Sequence, residues 1–165
     1  MIVSAGNDVN LGGATIEALG KEGAITITAG HDINSTTDTL TAKKDMTQDG
    51  DNYLRTYRQT ELGTTIEAGG DISIGAKHDV KARNLTVSSD SGAVKVIGEH
   101  DVSIENGYSE SKDAFALKYK EKGLLNKKET KIKTNDESKN ALMSTLSGHT
   151  VVVGANNDVT LTSSN

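Results

Sequence analysis

The sequence predicts an all-β protein: a right-handed parallel β-helix, a solenoid, with two extrahelical β-hairpin insertions. Three observations lead there. An alternating apolar phrase that ends in an Asp recurs along the chain. The Asp residues keep a constant period once two insertions are set aside. The composition suits a narrow column of aliphatic side chains better than a spherical core.

The phrase reads Ala24-Ile25-Thr26-Ile27-Thr28-Ala29-Gly30-His31-Asp32-Ile33. It returns as Ile72-Ser73-Ile74 before Asp79-Val80, as Val94-Lys95-Val96 before Asp101-Val102, and as Val151-Val152-Val153 before Asp158-Val159. In all four copies the first apolar residue stands seven positions before the Asp, and Asp8-Val9 opens the chain in the same style. A constant offset of this kind marks an internal repeat. Asp8 and Asp32 are 24 residues apart, and Asp79 and Asp101 are 22 apart. The longer intervals, 47 from Asp32 to Asp79 and 57 from Asp101 to Asp158, read as one period plus an insertion.

A third, minor strand is expected in each period. Ile16 lies eight residues after Asp8, and Leu40 lies eight after Asp32; Ile16 lies nine before Ile25, and Leu85 nine before Val94. Each piece is short, alternates with period two, and is bounded by Gly, Asn, Asp or His, which is strand-and-corner chemistry. Such strands pair with their own counterparts one period on, at about 4.8 Å. Ile, Val and Leu then point inward, and Thr, Ser, Lys and Glu outward. The right-handed sense follows from the handedness of parallel β crossovers.

Only 34% of the 165 residues are hydrophobic and 3% aromatic, which is thin for a globule but enough for a column that each period fills with a few aliphatics. The 17 Gly suit tight corners, and the absence of Pro suits strands whose N–H groups all pair. With no Cys there is neither a disulfide framework nor a thiolate metal site, and this also suits a chain exported unfolded through an oxidising compartment. No apolar run reaches membrane-spanning length, and no signal-peptide pattern opens the chain. Neither end shows a polar cap, and the last period stops at Ser163-Ser164-Asn165; the chain, 1–165, is therefore expected to be one β-helix segment of a longer filament.

In chain order, residues 1–42 carry the first period and the start of the second. Residues 43–64 form the first insertion, with Asp49-Gly50-Asp51 as the turn of a hairpin. Residues 65–105 run without interruption and point Ile66, Ile72, Ile74, Val80, Leu85, Val87, Val94, Val96, Val102 and Ile104 inward. Residues 106–148 form the second insertion. Ala114 to Lys120 alternates, with Phe115, Leu117 and Tyr119 on one face and Lys118 and Lys120 on the other. Glu129 to Thr134 alternates again, the loop runs through Gly123-Leu124-Leu125-Asn126, and Thr134 to Lys139 reads as loop. Ala141 to Leu146 reads either as a helical turn or as the missing minor strand. Both insertions are expected to leave between the minor strand and the Ile-x-Ile strand, on one side, roughly 10 Å apart.

All five aromatics, Tyr53, Tyr57, Tyr108, Phe115 and Tyr119, lie in the insertions. From Lys112 to Lys133 eight Lys stand against Asp113, Glu121 and Glu129, giving +5 in a chain of net −5. A basic, aromatic-bearing arm is set against an otherwise acidic chain. The candidate partner-contact residues are therefore Tyr53, Tyr57, Phe115, Tyr119, Lys118, Lys120, Lys122, Lys127 and Lys128. They suit an anionic glycan or lipid headgroup; equally, Lys on an edge strand guards against aggregation and the rings pack a small hairpin core.

Two other features have a structural and a chemical reading. Each repeat Asp accepts a backbone N–H and holds its corner, and the alternative, calcium, lacks the glycine-rich nonapeptide of calcium β-rolls. His31, His78 and His100 each precede a repeat Asp, with Asn7 and Asn157 in the same place; they read as turn residues, the alternative being a row of imidazoles for a divalent metal. No metal site and no cofactor is assigned. Glu67, Asp71, Lys77 and Arg83 are carboxylates and bases of the kind that polysaccharide-cleaving, pectate-lyase-like β-helices carry in a groove, but no catalytic motif accompanies them, and no catalytic residue or enzyme activity is assigned.

The phrases Ala5-Gly6-Asn7-Asp8-Val9-Asn10-Leu11, Thr28-Ala29-Gly30-His31-Asp32-Ile33 and Val153-Gly154-Ala155-Asn156-Asn157-Asp158-Val159-Thr160-Leu161 resemble the haemagglutinin repeats of two-partner secretion exoproteins. These are the filamentous haemagglutinins and contact-dependent growth inhibition toxins of Gram-negative bacteria. The second insertion is similar to theirs too, in Glu105 to Tyr108, Tyr119-Lys120-Glu121-Lys122-Gly123-Leu124 and Ser144-Thr145-Leu146-Ser147-Gly148. The resemblance implies a right-handed β-helical filament segment, non-enzymatic, secreted through an outer-membrane two-partner secretion transporter to the bacterial cell surface. It implies a role in adhesion or toxin delivery, with a target-cell surface, lipopolysaccharide or glycan as partner. Translocation across a target outer membrane is a further role in the toxins. Nucleic acid is not an expected partner, and no family residue role carries over.

Overall fold

The computed structural model describes residues 1–123 and 126–162. They form strands, turns and corners, with no helix among the described residues. The chain divides into two compact units: Met1–Asp38, Glu61–Gly107 and Ala141–Asn165 make the first, and Thr39–Thr60 and Tyr108–Asn140 the second.

In the first unit the recurring phrase becomes β1 (Ile2–Ala5), β4 (Ile25–Ala29), β9 (Ile72–Ala76), β12 (Ala93–Gly98) and β17 (Thr150–Ala155), one five-stranded parallel sheet in the order β1-β4-β9-β12-β17. The apolar segments after each Asp become β2 (Val9–Gly12), β5 (Ile33–Thr36), β10 (Val80–Arg83), β13 (Val102–Glu105) and β18 (Val159–Leu161), a second parallel sheet in the order β18-β13-β10-β5-β2. The minor strands β3 (Thr15–Ala18), β8 (Thr65–Ala68), β11 (Thr86–Ser89) and β16 (Thr145–Ser147) make a third, in the order β16-β11-β8-β3.

Equivalent residues pair in register. Ile25 faces Ile72, Ile72 faces Val94, and Val94 faces Val151. In the second sheet the series is Val9, Ile33, Val80, Val102 and Val159. The pleat puts every second residue inside, so Ile25, Ile27, Ile33, Ile66, Ile72, Val80, Val87, Val94, Val96 and Val102 are fully buried in one cluster. All ten residues expected to point inward between 65 and 105 are buried. Removing such a side chain from water contributes about 1.5–3 kcal/mol.

The minor strand corrects the counting. Leu40 is not its member in the second period; Leu40 lies exposed in a long strand, and Ile66 takes the place opposite Ile16. Val87, not Leu85, is the in-register residue of β11, although Leu85 is buried. The offsets fail because corners differ in length and because the first insertion intervenes. Both insertions thus leave before the minor strand, after β5 and after β13. Of Ala141 to Leu146, Thr145 and Leu146 join the minor strand, with Leu146 opposite Val87, while Ala141 and Leu142 end the long strand before it.

The points of departure share one corner. Asn84 occupies it in the uninterrupted period with φ at 52°, and its side chain donates to the Glu61 carbonyl at 3.0 Å. A Cβ on Gly63 would stand 1.6 Å from the Asn84 carbonyl oxygen, and one on Gly107 2.8 Å from the Asn84 Cβ. Glycine is required at position 63 because backbone passes against backbone, and at 107 because the Asn84 side chain lies against it.

The second unit is antiparallel. β6 (Asp38–Asp49) and β7 (Asn52–Leu62) enclose the expected Asp49-Gly50-Asp51 turn, where Asp49 accepts the Asp51 N–H at 2.8 Å. β14 (Gly107–Lys122) and β15 (Lys127–Leu142) form the second hairpin, longer than expected because Thr134 to Lys139 is strand, not loop. The sheet order is β15-β14-β7-β6. The hairpins are therefore one sheet rather than two separate projections. The expected loop positions Leu124 and Leu125, and the terminal Ser163 to Asn165, lie outside the described residues.

Candidate contact surface

The antiparallel unit carries all nine candidate contact residues, but its register separates them. Lys112 pairs with Tyr57, Ala114 with Arg55, Phe115 with Leu54 and Ala116 with Tyr53. Directly opposed residues share a face. Tyr53, Arg55 and Tyr57 therefore lie on the face of Lys112, Ala114, Ala116, Lys118 and Lys120. Phe115, Leu117 and Tyr119 lie on the other, with Leu54. The alternation of β14 was legible in the sequence; which tyrosines join which face depends on cross-strand register.

On the first face the rings are already engaged. The Arg55 guanidinium lies 4.6 Å from the Tyr53 ring centre, Lys43 Nζ 5.3 Å from that of Tyr57, and the Tyr57 hydroxyl meets the Gln59 amide. Lys139 Nζ lies 4.3 Å from the Tyr108 ring. On the second face Phe115 and Tyr119 are 36% and 42% exposed, and Leu117 is exposed beside them.

The lysines separate as well. Lys118 Nζ bonds Asp51 at 2.9 Å and lies 3.6 Å from Glu129; hydrogen bonding to Asp51 raises its pKa. Lys120 lies 3.4 Å from Glu129. Lys112, bonded to Glu137 at 2.8 Å and Glu110 at 2.9 Å, has its pKa raised by both, Glu137 first. Arg58 and Asp113 make a two-pronged pair at 2.8 and 2.7 Å, raising the one pKa and lowering the other. Lys122, Lys127 and Lys128 form no ion pair among the described residues, and all are exposed.

Besides a hollow of about 570 Å³ lined by Tyr53 and Phe115 among others, two concavities carry clustered charge. A cleft of about 530 Å³ is lined by Lys43, Lys44, Arg55, Tyr57 and Lys112 together with Asp45, Asp113, Asp136 and Glu137. Four cations face four anions there, so it holds no net charge for an anion. Sequence reading missed its basic members because they are spread over three strands. The hairpin end is different: among the described residues, Lys120, Lys122, Lys127 and Lys128 surround a hollow with Glu121 and Glu129 as its acidic members. This is where the sheet can meet an anionic surface.

In the parallel unit two of the four residues weighed as catalytic, Asp71 and Arg83, have structural partners. Asp71 accepts the Ala93 N–H at 2.8 Å, and Arg83 makes a two-pronged pair with Glu61 at 2.9 and 3.0 Å. The Asp column holds the corners as the structural reading expects. The N–H groups of Asp32, Asp79, Asp101 and Asp158 donate to the side chains of Asp8, Asp32, Asp79 and Asp101, at 3.0, 3.0, 3.2 and 3.0 Å. No family model, curated protein or solved structure that was compared matches this chain.

Proposed function

We propose that this protein is a non-enzymatic, right-handed β-helical segment of a large secreted exoprotein, displayed at the bacterial cell surface and acting in adhesion or contact-dependent toxin delivery. Its parent chain passes through an outer-membrane two-partner secretion transporter. The observation that carries this reading is the in-register repetition: three parallel sheets, entered in the same order in each period, with Asp, His or Asn at equivalent corners. A chain built this way folds by adding each period to the one before, and backbone ladders supply stiffness without a globular core. The resemblance of the corner phrases and the second insertion to haemagglutinin repeats supplies the setting.

The antiparallel unit is the contact element, and its basic hairpin end favours an anionic glycan or lipopolysaccharide as partner. The test is binding of the chain to Gram-negative cells and to purified lipopolysaccharide at low and physiological salt, beside the triple variant Lys122→Glu, Lys127→Glu, Lys128→Glu. Salt-sensitive binding that the triple variant loses supports a contact or translocation element working through that end. Binding by neither protein leaves a spacer segment whose hairpins serve packing and edge protection.

A further inference from the structure

His31, His78 and His100 occupy the same corner in successive periods and stack ring on ring, with centroids 4.7 and 4.8 Å apart and planes within 12° and 8° of parallel. The stack follows from the ladder beneath it: the His78 N–H donates to the His31 carbonyl, and the His100 N–H to that of His78. Asp32 lies between the first two imidazoles. Its Oδ2 is 3.2 Å from His31 Nδ1 and its Oδ1 2.9 Å from His78 Nδ1. Asp8 Oδ1 lies 3.4 Å from His31 Nδ1.

We propose that the His31–Asp32–His78 corner binds a divalent first-row transition-metal ion of the zinc or nickel kind, through the two Nδ1 atoms and the Asp32 carboxylate. Ligands about 2.0–2.1 Å from a tetrahedral ion stand roughly 3.3 Å from one another. The two nitrogen–oxygen separations are close to that size, and the parallel rings must turn about their side-chain bonds to bring both Nδ1 lone pairs onto one ion. Asp32 Oδ1 only accepts, so His78 Nδ1 donates its ring proton to it here; an ion that takes Nδ1 displaces that proton to the other ring nitrogen or to water. Two nitrogens and a carboxylate select a transition metal over calcium or magnesium, which take oxygen. The imidazoles are 52% and 43% exposed, which leaves an entry path from solvent.

The neighbouring triad His78–Asp79–His100 has the same composition and a different electrostatic state. Lys81 Nζ lies 2.7 Å from Asp79 Oδ2, so an ammonium already compensates the charge of that carboxylate. Asp79 Oδ1 alone faces both imidazoles, at 3.4 and 3.1 Å. The Asp32 carboxylate has no such cation, and because both triads share His78 Nδ1, one ion per chain is expected.

Titration calorimetry with Zn²⁺, and the visible absorption of Co²⁺, test the site directly. Asn is the substitution of choice, because Asn157 stands in the same column and its Nδ2 bonds Asp101 Oδ1 at 2.9 Å. The expected result is one ion per chain, affinity lost by about tenfold or more in His31→Asn and in His78→Asn, and little change in His100→Asn or His149→Asn. No heat and no cobalt spectrum from the unaltered chain would overturn the proposal. So would binding that survives His78→Asn, or that His100→Asn weakens as much as His31→Asn does. Should His78→Asn not fold, histidine ¹⁵N shifts in the unaltered chain decide: Zn²⁺ should move the Nδ1 signals of His31 and His78 and leave those of His149. Movement of His149 alone refutes the site.

Discussion

At the scale of the residue, Asp79 shows how a corner is held. It is 5% exposed and accepts from Lys81 Nζ at 2.7 Å and from the Asp101 N–H at 3.2 Å. The hydrogen bond from Lys81, helped by His100 and the Asp101 N–H, outweighs desolvation and holds its carboxyl at about 2. A folded-state value below the unfolded one stabilises the fold above about pH 4, and the contribution fades as pH falls through about 2. Its size is about 2 kcal/mol, since one pKa unit corresponds to about 1.4 kcal/mol. Urea unfolding at pH 6, 4 and 2 should therefore show stability falling in the acid range, and Asp79→Asn should flatten part of that fall while lowering stability at pH 6. Gly63 is a second test at this scale. Gly63→Ala drives a Cβ to 1.6 Å from the Asn84 carbonyl oxygen, and backbone cannot yield as a flexible side chain would. A loss of more than about 3 kcal/mol in denaturant unfolding is expected.

At the scale of the element, the parallel strands and the hairpin strands bury different things. β9 is covered on both sides, with Ile72 facing Ile25 and Val94, so Ile72→Ala should cost about 2–5 kcal/mol. β14 leaves Phe115 half-exposed, and Phe115→Ala should cost under about 1 kcal/mol, measured by the same unfolding curves. Alternation was readable in both elements, because a pleated strand displays its sequence two residues at a time. Register in the repeat was readable too, because a constant seven-residue offset ties Ile25, Ile72, Val94 and Val151 to their corners. The minor strand itself was expected, but its members Ile66 and Val87 escaped the count because no corner of constant length precedes it. Leu40 looked like its member by count, yet the chain had already turned into β6.

At the scale of the whole molecule, charge divides between the units. The antiparallel unit has 13 basic and 9 acidic residues, hence +4, and the remainder has 5 basic and 14 acidic, hence −9. Reversing Lys122, Lys127 and Lys128 changes the first figure by −6, to −2, so binding to anionic lipopolysaccharide or glycan should vanish in the variant. In the unaltered chain it should weaken between low and physiological salt, where the screening length shortens to about 8 Å; surface plasmon resonance on immobilised lipopolysaccharide measures both. The sequence by itself determined the all-β class, the repeat, the inward aliphatics and the concentration of rings and lysines in two insertions, since these depend on residue order and period alone. Only the tertiary structure decided that the insertions pair into one sheet, that Tyr53 and Tyr57 part from Phe115 and Tyr119, that Lys118 is neutralised while Lys122, Lys127 and Lys128 are not, and that Asp32 stands between two stacked imidazoles. Each of those depends on which strands meet and in what register, and contacts between residues far apart in the chain leave no period to read.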